Sequence, residues 1–163
     1  MSALSLTKKE KAPASESFLK FQLAPNISAV LSAYVVQEAA VLPMRRVMAM
    51  PNMPAALLGL INRRGKVLWV ANLIRLLGLP VSARTAQQYS LVIVKGQQSS
   101  LALQVETIDG IISFPLTAVQ PPPANVSPMI LPYLQGCVVH MGETVFVLDA
   151  ESILQSSALQ TGD

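Results

Sequence analysis

Gly59-Leu60-Ile61-Asn62-Arg63-Arg64-Gly65-Lys66-Val67-Leu68-Trp69-Val70-Ala71-Asn72-Leu73 is the stretch whose reading decides the fold. Apolar residues run into Asn62 and resume at Val67, which predicts two short strands, 60–63 and 66–71, around a tight bend at Arg64-Gly65. Two cationic forks are thereby held at a fixed place on a β scaffold. Such forks suit the gripping of a protein surface. No acid, base or nucleophile accompanies them in the stretch, so chemistry is a poor reading of it.

Outward from this hairpin, Asn72 is placed to cap a short helix over 73–77. Gly78 fits the left-handed position after it, and Pro80 marks the stop. On the other side, Pro54-Ala55-Ala56-Leu57-Leu58 predicts one helical turn opened by proline and closed before Gly59. Earlier still, Leu19, Phe21 and Leu23 alternate with Lys20 and Gln22, the period-two pattern of a half-buried strand over 18–23. Pro25-Asn26 turns the chain into 27–31. A helical turn near 33–36, a strand near 37–42 and another at 47–50 complete this half.

Residues 81–89 are polar and without apolar periodicity, which predicts a connection between two subdomains. Beyond it, 91–95 is a continuous apolar run, as expected of a strand buried on both faces of a small barrel. Leu101, Leu103 and Val105 then alternate with Ala102, Gln104 and Glu106. A strand at 111–114 ends at Pro115, and the proline-rich 121–128 segment reads as an extended loop. The runs 136–140 and 144–148 flank Met141-Gly142-Glu143 as a hairpin. Asp149 caps a final helix over 150–154, with Glu151 favourable in its first turn. Many short strands with brief helices make this a mainly β chain built of barrels, with no close sequence repeat between its halves. The expected division is an arm at 1–16, a first subdomain at about 17–80, a second at about 88–148, a C-terminal helix at about 149–155 and a flexible tail at 156–163.

The 163 residues include twelve basic and nine acidic side chains, a net charge of +3. That is mild for a nucleic-acid binder, which concentrates more charge on one face. Apolar residues make up 52% and charged residues 13%, more hydrophobic than an average soluble domain. A membrane helix is excluded in the long uncharged run between Asp109 and Glu143, because six prolines interrupt it. The N-terminal residues carry lysines and no apolar core, unlike a secretory signal, and the single Cys137 cannot form an internal disulfide. Both point to the cytoplasm.

Catalytic and metal-binding readings find little support. His140 and Cys137 are the sole residues of their kinds, and their odd spacing on a strand sets them on opposite faces. They make neither a nucleophile–base pair nor a structural metal set. The expectation is therefore no enzyme, no metal and no cofactor. Glu38 is the one acid between Glu16 and Glu106, and such an isolated charge is either exposed at an interface or paired, for instance with Arg64. Arg45, Arg46, Lys66 and Arg75 read as ordinary solvated charge. Met44, Met48, Met50 and Met53 read as core and rim filler, although flexible thioethers also suit adaptable binding surfaces. A β-barrel nucleic-acid module is the alternative reading, weakened by the scarcity of aromatic residues for stacking.

These residues resemble the CheW family of chemotaxis adaptors. The family pattern Gly-x-Ile/Val-Asn-x-Arg-Gly-x-Val/Ile-x-x-Val-x-Asp-Leu matches the opening stretch in register from Gly59 to Leu73. Leu101-Ala102-Leu103-Gln104-Val105-Glu106-Thr107-Ile108 is similar to a second family strand. Tyr133-Leu134-Gln135-Gly136-Cys137 through Val147-Leu148-Asp149 resembles the closing block. The resemblance implies two SH3-like five-stranded β-barrels around a shared core. It also implies a scaffold that bridges the tip of a methyl-accepting chemoreceptor to the regulatory domain of a CheA-type histidine kinase, in the cytoplasm at membrane-associated receptor arrays.

By the same resemblance, Arg64, Glu38 and Val35 would face the receptor. The kinase would meet the region of Leu101, Leu103 and Gly136. Gly59, Asn62, Gly65 and Asp149 would be structural members of the motif. The chain departs from the pattern at Arg63, where an apolar residue is usual, at Trp69 in a proline position, and at Asn72 and Glu106 in place of aspartates. Its Asn-Arg-Arg-Gly…Leu-Trp-Val variant looks like cyanobacterial adaptors of pilus-linked phototaxis.

Overall fold

Alternation along the chain produces β1 (Ser15–Ala24), β2 (Ile27–Ser32), β3 (Val36–Pro43), β4 (Leu57–Arg63) and β5 (Lys66–Asn72), followed by α1 (Leu73–Leu76). Next come β6 (Gln88–Lys95), β7 (Ser100–Val105), β8 (Thr107–Pro115), β9 (Leu134–His140) and β10 (Glu143–Leu148), then α2 (Ala150–Leu154). The computed structural model describes residues 14–81 and 87–160. Residues 1–13 of the expected 1–16 arm, 82–86 of the expected 81–89 connection and 161–163 of the expected tail lie outside the described residues. No described helix is long and apolar enough to cross a membrane.

The strands form two five-stranded sheets, in the orders β8-β1-β2-β10-β9 and β3-β6-β7-β5-β4. This is the mainly β, two-barrel SH3-like architecture expected from the sequence. The division between the barrels is different. The second sheet runs unbroken from β3 to β7, while the first gathers β1 and β2 from one end of the chain and β8, β9 and β10 from the other. The polar segment after α1 therefore falls between β5 and β6, two strands of the same sheet. A boundary near residue 80 divides polar from apolar sequence and does not divide the sheets. Alternation tells a strand which face to bury but not which strand to pair with.

The two sheets share one topology. Each has a parallel pair at its heart, Val147 opposite Val30 and Val70 opposite Ala102. Each has an antiparallel hairpin with a register slip beside a glycine, between Leu57 and Gly59 in one and between Val147 and Leu148, opposite Gly136, in the other. Each sends a strand into proline, a short 3-10 turn and an isolated bridge, Met48 to Leu60 and Gln120 to Cys137. Gly59–Asn72 thus corresponds in register to Gly136–Asp149. The repeat is one of backbone path with little sequence behind it.

Three apolar clusters follow from this arrangement. Inside the first sheet Phe18, Val30, Phe114, Val138 and Val147 are buried together, with the Phe18 and Phe114 rings stacked at 4.1 Å. The corresponding residues of the second sheet are Leu91, Ala102, Leu42, Ile61 and Val70. Between the sheets lies the larger shared core, to which β1 gives Leu19, Phe21 and Leu23, and α1 gives Leu73, Ile74 and Leu76. The apolar run of β6 is explained by its two faces: Leu91 and Ile93 enter one cluster, Val92 and Val94 the other.

Both helices start as expected. The Asn72 side chain accepts from the Arg75 amide at 3.1 Å, and that of Asp149 accepts from the Glu151 amide at 3.1 Å. Several local expectations are corrected. Residues 33–36 make no helical turn: Val35 closes one turn onto the Ser32 carbonyl, and Val36 already pairs with Val94. β-branched residues favour that extended path. Of the expected strand at 47–50 only the Met48 bridge exists, since Pro51 follows at once and has no amide to donate. The turn opened by Pro54 ends at Leu57, which begins β4 opposite Ala71. At the ends, Ser15 and Glu16 belong to β1. Ser156 in the expected tail is buried, with its hydroxyl 2.6 Å from that of Tyr133.

Candidate functional site

The Arg64-Gly65 bend is a two-residue hairpin loop with φ of 55° and 78° at its central residues. Positive φ at both positions is the type I′ turn, whose twist matches that of the flanking strands. Glycine accepts this conformation freely, and arginine does so at a cost. The turn places Arg63 at the end of β4 and Arg64 at its tip, both beside Glu38 of β3.

Glu38 holds both arginines. Arg63 donates through Nη2 to Oε2 at 2.5 Å and through Nε to Oε1 at 3.2 Å. Arg64 reaches the same two oxygens at 3.1 and 3.5 Å. The side chain of Arg63 is 27% exposed and that of Arg64 is 77% exposed, so the inner arginine carries the tighter pair. These bonds, from Arg63 first and Arg64 second, hold the Glu38 carboxyl down to about 2. Arg63 is in turn pushed above the ordinary arginine range, by its bond to Glu38.

The cluster lines a cleft of about 350 Å³ with Gln37, Lys66, Leu68, Ile93 and Ser100. A shallower depression continues from it along Lys66, Leu68 and Ser100 to Lys95. Three cations therefore face one carboxylate in the cleft itself. An open groove with paired charges and an apolar floor can dock another macromolecule. Nothing lining it supplies a nucleophile with its base.

At the corresponding turn of the other sheet, Met141 and Gly142 have φ of 51° and 78°, so the conformation is the same. The charges are not. A cleft of about 390 Å³ is lined there by Lys20, Asp109, Gly110, Ile111, Ile112, His140, Met141 and Glu143. Lys20 lies 3.0 Å from Asp109 and 3.4 Å from Glu143. The Ser28 hydroxyl donates to Glu143 at 2.6 Å and, with Lys20, holds that carboxyl below its usual range.

The structure brings Glu38 and Arg64 together, while Val35, the third residue expected to face the receptor, is partly buried and outside the residues lining that cleft. Val35 packs against the shared core, and its carbonyl accepts from the Lys95 amide at 2.9 Å. The residues assigned to the kinase are corrected more sharply. Leu103 is fully buried, Leu101 is 7% exposed and Gly136 backs onto the Gln120 carbonyl. The alternation of β7 aims the Leu101 and Leu103 side chains into the core. Of the motif residues, Gly59 meets the Met48 backbone, Gly65 completes the turn, Asp149 caps α2 and Asn62 is exposed opposite Val67.

Arg63 is the member of the cluster that sequence reasoning left without a role. Its signal was the solitary Glu38, which needed a partner and had two arginines to choose from. Cys137 is buried, its thiol 3.5 Å from the Pro121 carbonyl. Phe18, Phe21 and Phe114 are buried and Tyr34 is exposed, and none of the residues that line the cleft is aromatic.

Comparison with known proteins follows the same outline. The family model of the CheW-like domain matches residues 18–158. A probable chemotaxis protein CheW of Rhizobium etli is 25% identical over 109 residues, covering 67% of this chain and 70% of that protein. The crystal structure of the scaffolding protein TtCheW from Thermoanaerobacter tengcongensis superimposes with a TM-score of 0.77 at 18% identity, covering 93% of this chain and 98% of that one.

Proposed function

This chain belongs to the CheW-like domain family, and from that premise we propose that it is a non-enzymatic coupling adaptor of chemotaxis-type signalling. It bridges the cytoplasmic signalling tip of a methyl-accepting chemoreceptor to the regulatory domain of a CheA-type histidine kinase. It works in the cytoplasm, recruited to membrane-associated receptor arrays. The observation that carries this reading is the Glu38–Arg63–Arg64 cluster, held by a type I′ turn at the mouth of an open cleft. The receptor side is assigned to that cleft. The kinase side falls to exposed surface elsewhere, since Leu101, Leu103 and Gly136 lie in the core. Such a bridge acts by binding kinase states unequally, which shifts their populations. The Trp69 variant of the motif supports a pilus-linked phototaxis setting.

Titration of the chain with a receptor signalling-tip fragment and with a kinase regulatory domain tests the proposal. Binding of both at tens of micromolar or tighter is expected, with the tip weakened by Arg64→Asp. Absence of both interactions removes the adaptor reading. Nucleic acid, titrated in parallel at low salt, is expected not to bind; an affinity falling steeply with salt would favour the nucleic-acid module instead.

A further inference from the structure

We infer that Arg63 holds Glu38 so that Arg64 is released to pair with a carboxylate of the partner, and that the groove therefore selects an acidic segment over a neutral one. The inference rests on the reading of this cleft as the receptor-side surface. It begins with a mismatch of numbers, two guanidinium groups on one carboxylate. Arg63 makes the shorter contacts and is the more enclosed of the two. Arg64 shares the same oxygens at longer range with a side chain 77% exposed. When Arg64 swings away, Glu38 keeps a two-pronged partner and no buried charge is orphaned. Without Arg63, Arg64 would be the sole cation on Glu38, and its departure would strip the carboxylate.

The surroundings set the sign of what is taken. Arg63, Arg64 and Lys66 stand against Glu38 alone in the cleft, and the neighbouring depression adds Lys95. A surface of that balance complements negative charge and repels positive charge. The backbone adds aim, because the left-handed conformation at Arg64 fixes where its side chain leaves the tip. The same turn in the other sheet carries Met141 in that place, with Glu143 where Lys66 stands. Of the two clefts, only the one at the Arg64 turn carries a net cationic lining.

The test uses the full chain and two probes: a signalling-tip fragment of a chemoreceptor encoded in the same genome, and the same fragment with its exposed Asp and Glu changed to Asn and Gln. Affinities are measured by calorimetry at 50 and 300 mM salt, after thermal unfolding confirms that each variant folds. The native tip is expected to bind more tightly than the neutralised one, by a margin that shrinks at high salt. Arg63→Leu is expected to lose about threefold to tenfold on the native tip and little on the neutralised one. Adding Glu38→Gln to Arg63→Leu should restore the loss, since Arg64 is then free again; a merely structural Arg63 would not be rescued this way. Arg63→Lys, which keeps charge without the fork, should fall between. Equal binding by Arg63→Leu and the parent, or no rescue by Glu38→Gln, overturns the inference while leaving the groove assignment standing. If neither probe binds at low salt, the groove assignment fails and the inference with it.

Discussion

Gly59→Ala should be among the most damaging small changes this chain can suffer. The Gly59 φ is 151°, a conformation that side-chain-bearing residues rarely adopt. A Cβ there would stand 2.2 Å from the Met48 carbonyl oxygen and 2.7 Å from its carbon. Neither atom is a flexible side-chain end, so the strand carrying Met48 must move away. That motion breaks both bonds of the bridge, Met48 to Leu60 at 2.8 Å and Leu60 to Met48 at 2.9 Å. Two backbone hydrogen bonds are worth about 1 kcal/mol each, and a strained φ adds about 1–3 kcal/mol. The expected loss is about 3–5 kcal/mol, a large part of the stability of an ordinary domain. For a chain of this size it lowers Tm by about 10 °C.

Gly65→Ala is the control. Its φ is 78°, but no atom lies within 4 Å of the added carbon. Only the left-handed penalty of about 1 kcal/mol remains. Urea unfolding followed through the single, half-buried Trp69 measures both, with an unchanged slope confirming that stability alone has shifted. A Gly59→Ala loss within about 1 kcal/mol of the Gly65→Ala loss would refute the collision argument.

Arg64→Asn should stabilise the fold by about 0.5–1 kcal/mol, because Asn-Gly is the preferred type I′ pair and tolerates positive φ. The same change should weaken the receptor tip, so unfolding and binding measured on one sample should move in opposite directions. Acid should act through Glu38, whose carboxyl is held to about 2, well below the ordinary 4.5. Its contribution is complete above about pH 4.5 and is lost as pH falls through about 2; Glu143 adds in the same direction. For a side chain one-fifth exposed the contribution is about 1–2 kcal/mol after screening. Glu38→Gln should flatten the acid limb of a urea-midpoint profile between pH 5 and 2. Leu103→Ala should cost about 2–5 kcal/mol as a cavity in the shared core. Its kinase affinity should fall only as far as its folded fraction does, and a loss in fully folded protein would show that Leu103 reaches the partner.

What the sequence disclosed followed the reach of each signal. Period-two alternation was enough to find β1 and β7, and an unbroken apolar run to find β6, because these local patterns report burial directly. Caps were legible at Asn72 and Asp149 for the same local reason. Pairing was not: that β2 lies parallel to β10 and β5 to β7 depends on contacts more than thirty residues apart in sequence. The subdomain boundary was therefore set by polarity, and fell inside a sheet. The site was half legible. Glu38 and Arg64 came from the motif, whereas Arg63 needed the turn geometry that swings it onto β3. That Leu101 and Leu103 are buried was not legible, because a strand block identifies a region and does not say which face meets solvent.

The two sheets make an internal control for what the charged cluster does. They share a turn conformation, a slipped glycine, a capped helix and matching inner clusters. Where one has Glu38, Arg63, Arg64 and Lys66, the other has Gly110, His140, Met141 and Glu143 at the same backbone positions. The first sheet closes its hairpin and fills its core with none of those four charges. Those four side chains are thus not required by the backbone path. Arg64 even takes a left-handed conformation that asparagine or glycine would occupy at lower cost. The equivalent turn carries Lys20, Asp109 and Glu143 around Met141 instead, so the backbone path leaves the choice of charges at each turn open. The net positive balance of the cleft around Arg64 suits an acidic surface, the partner chemistry inferred above.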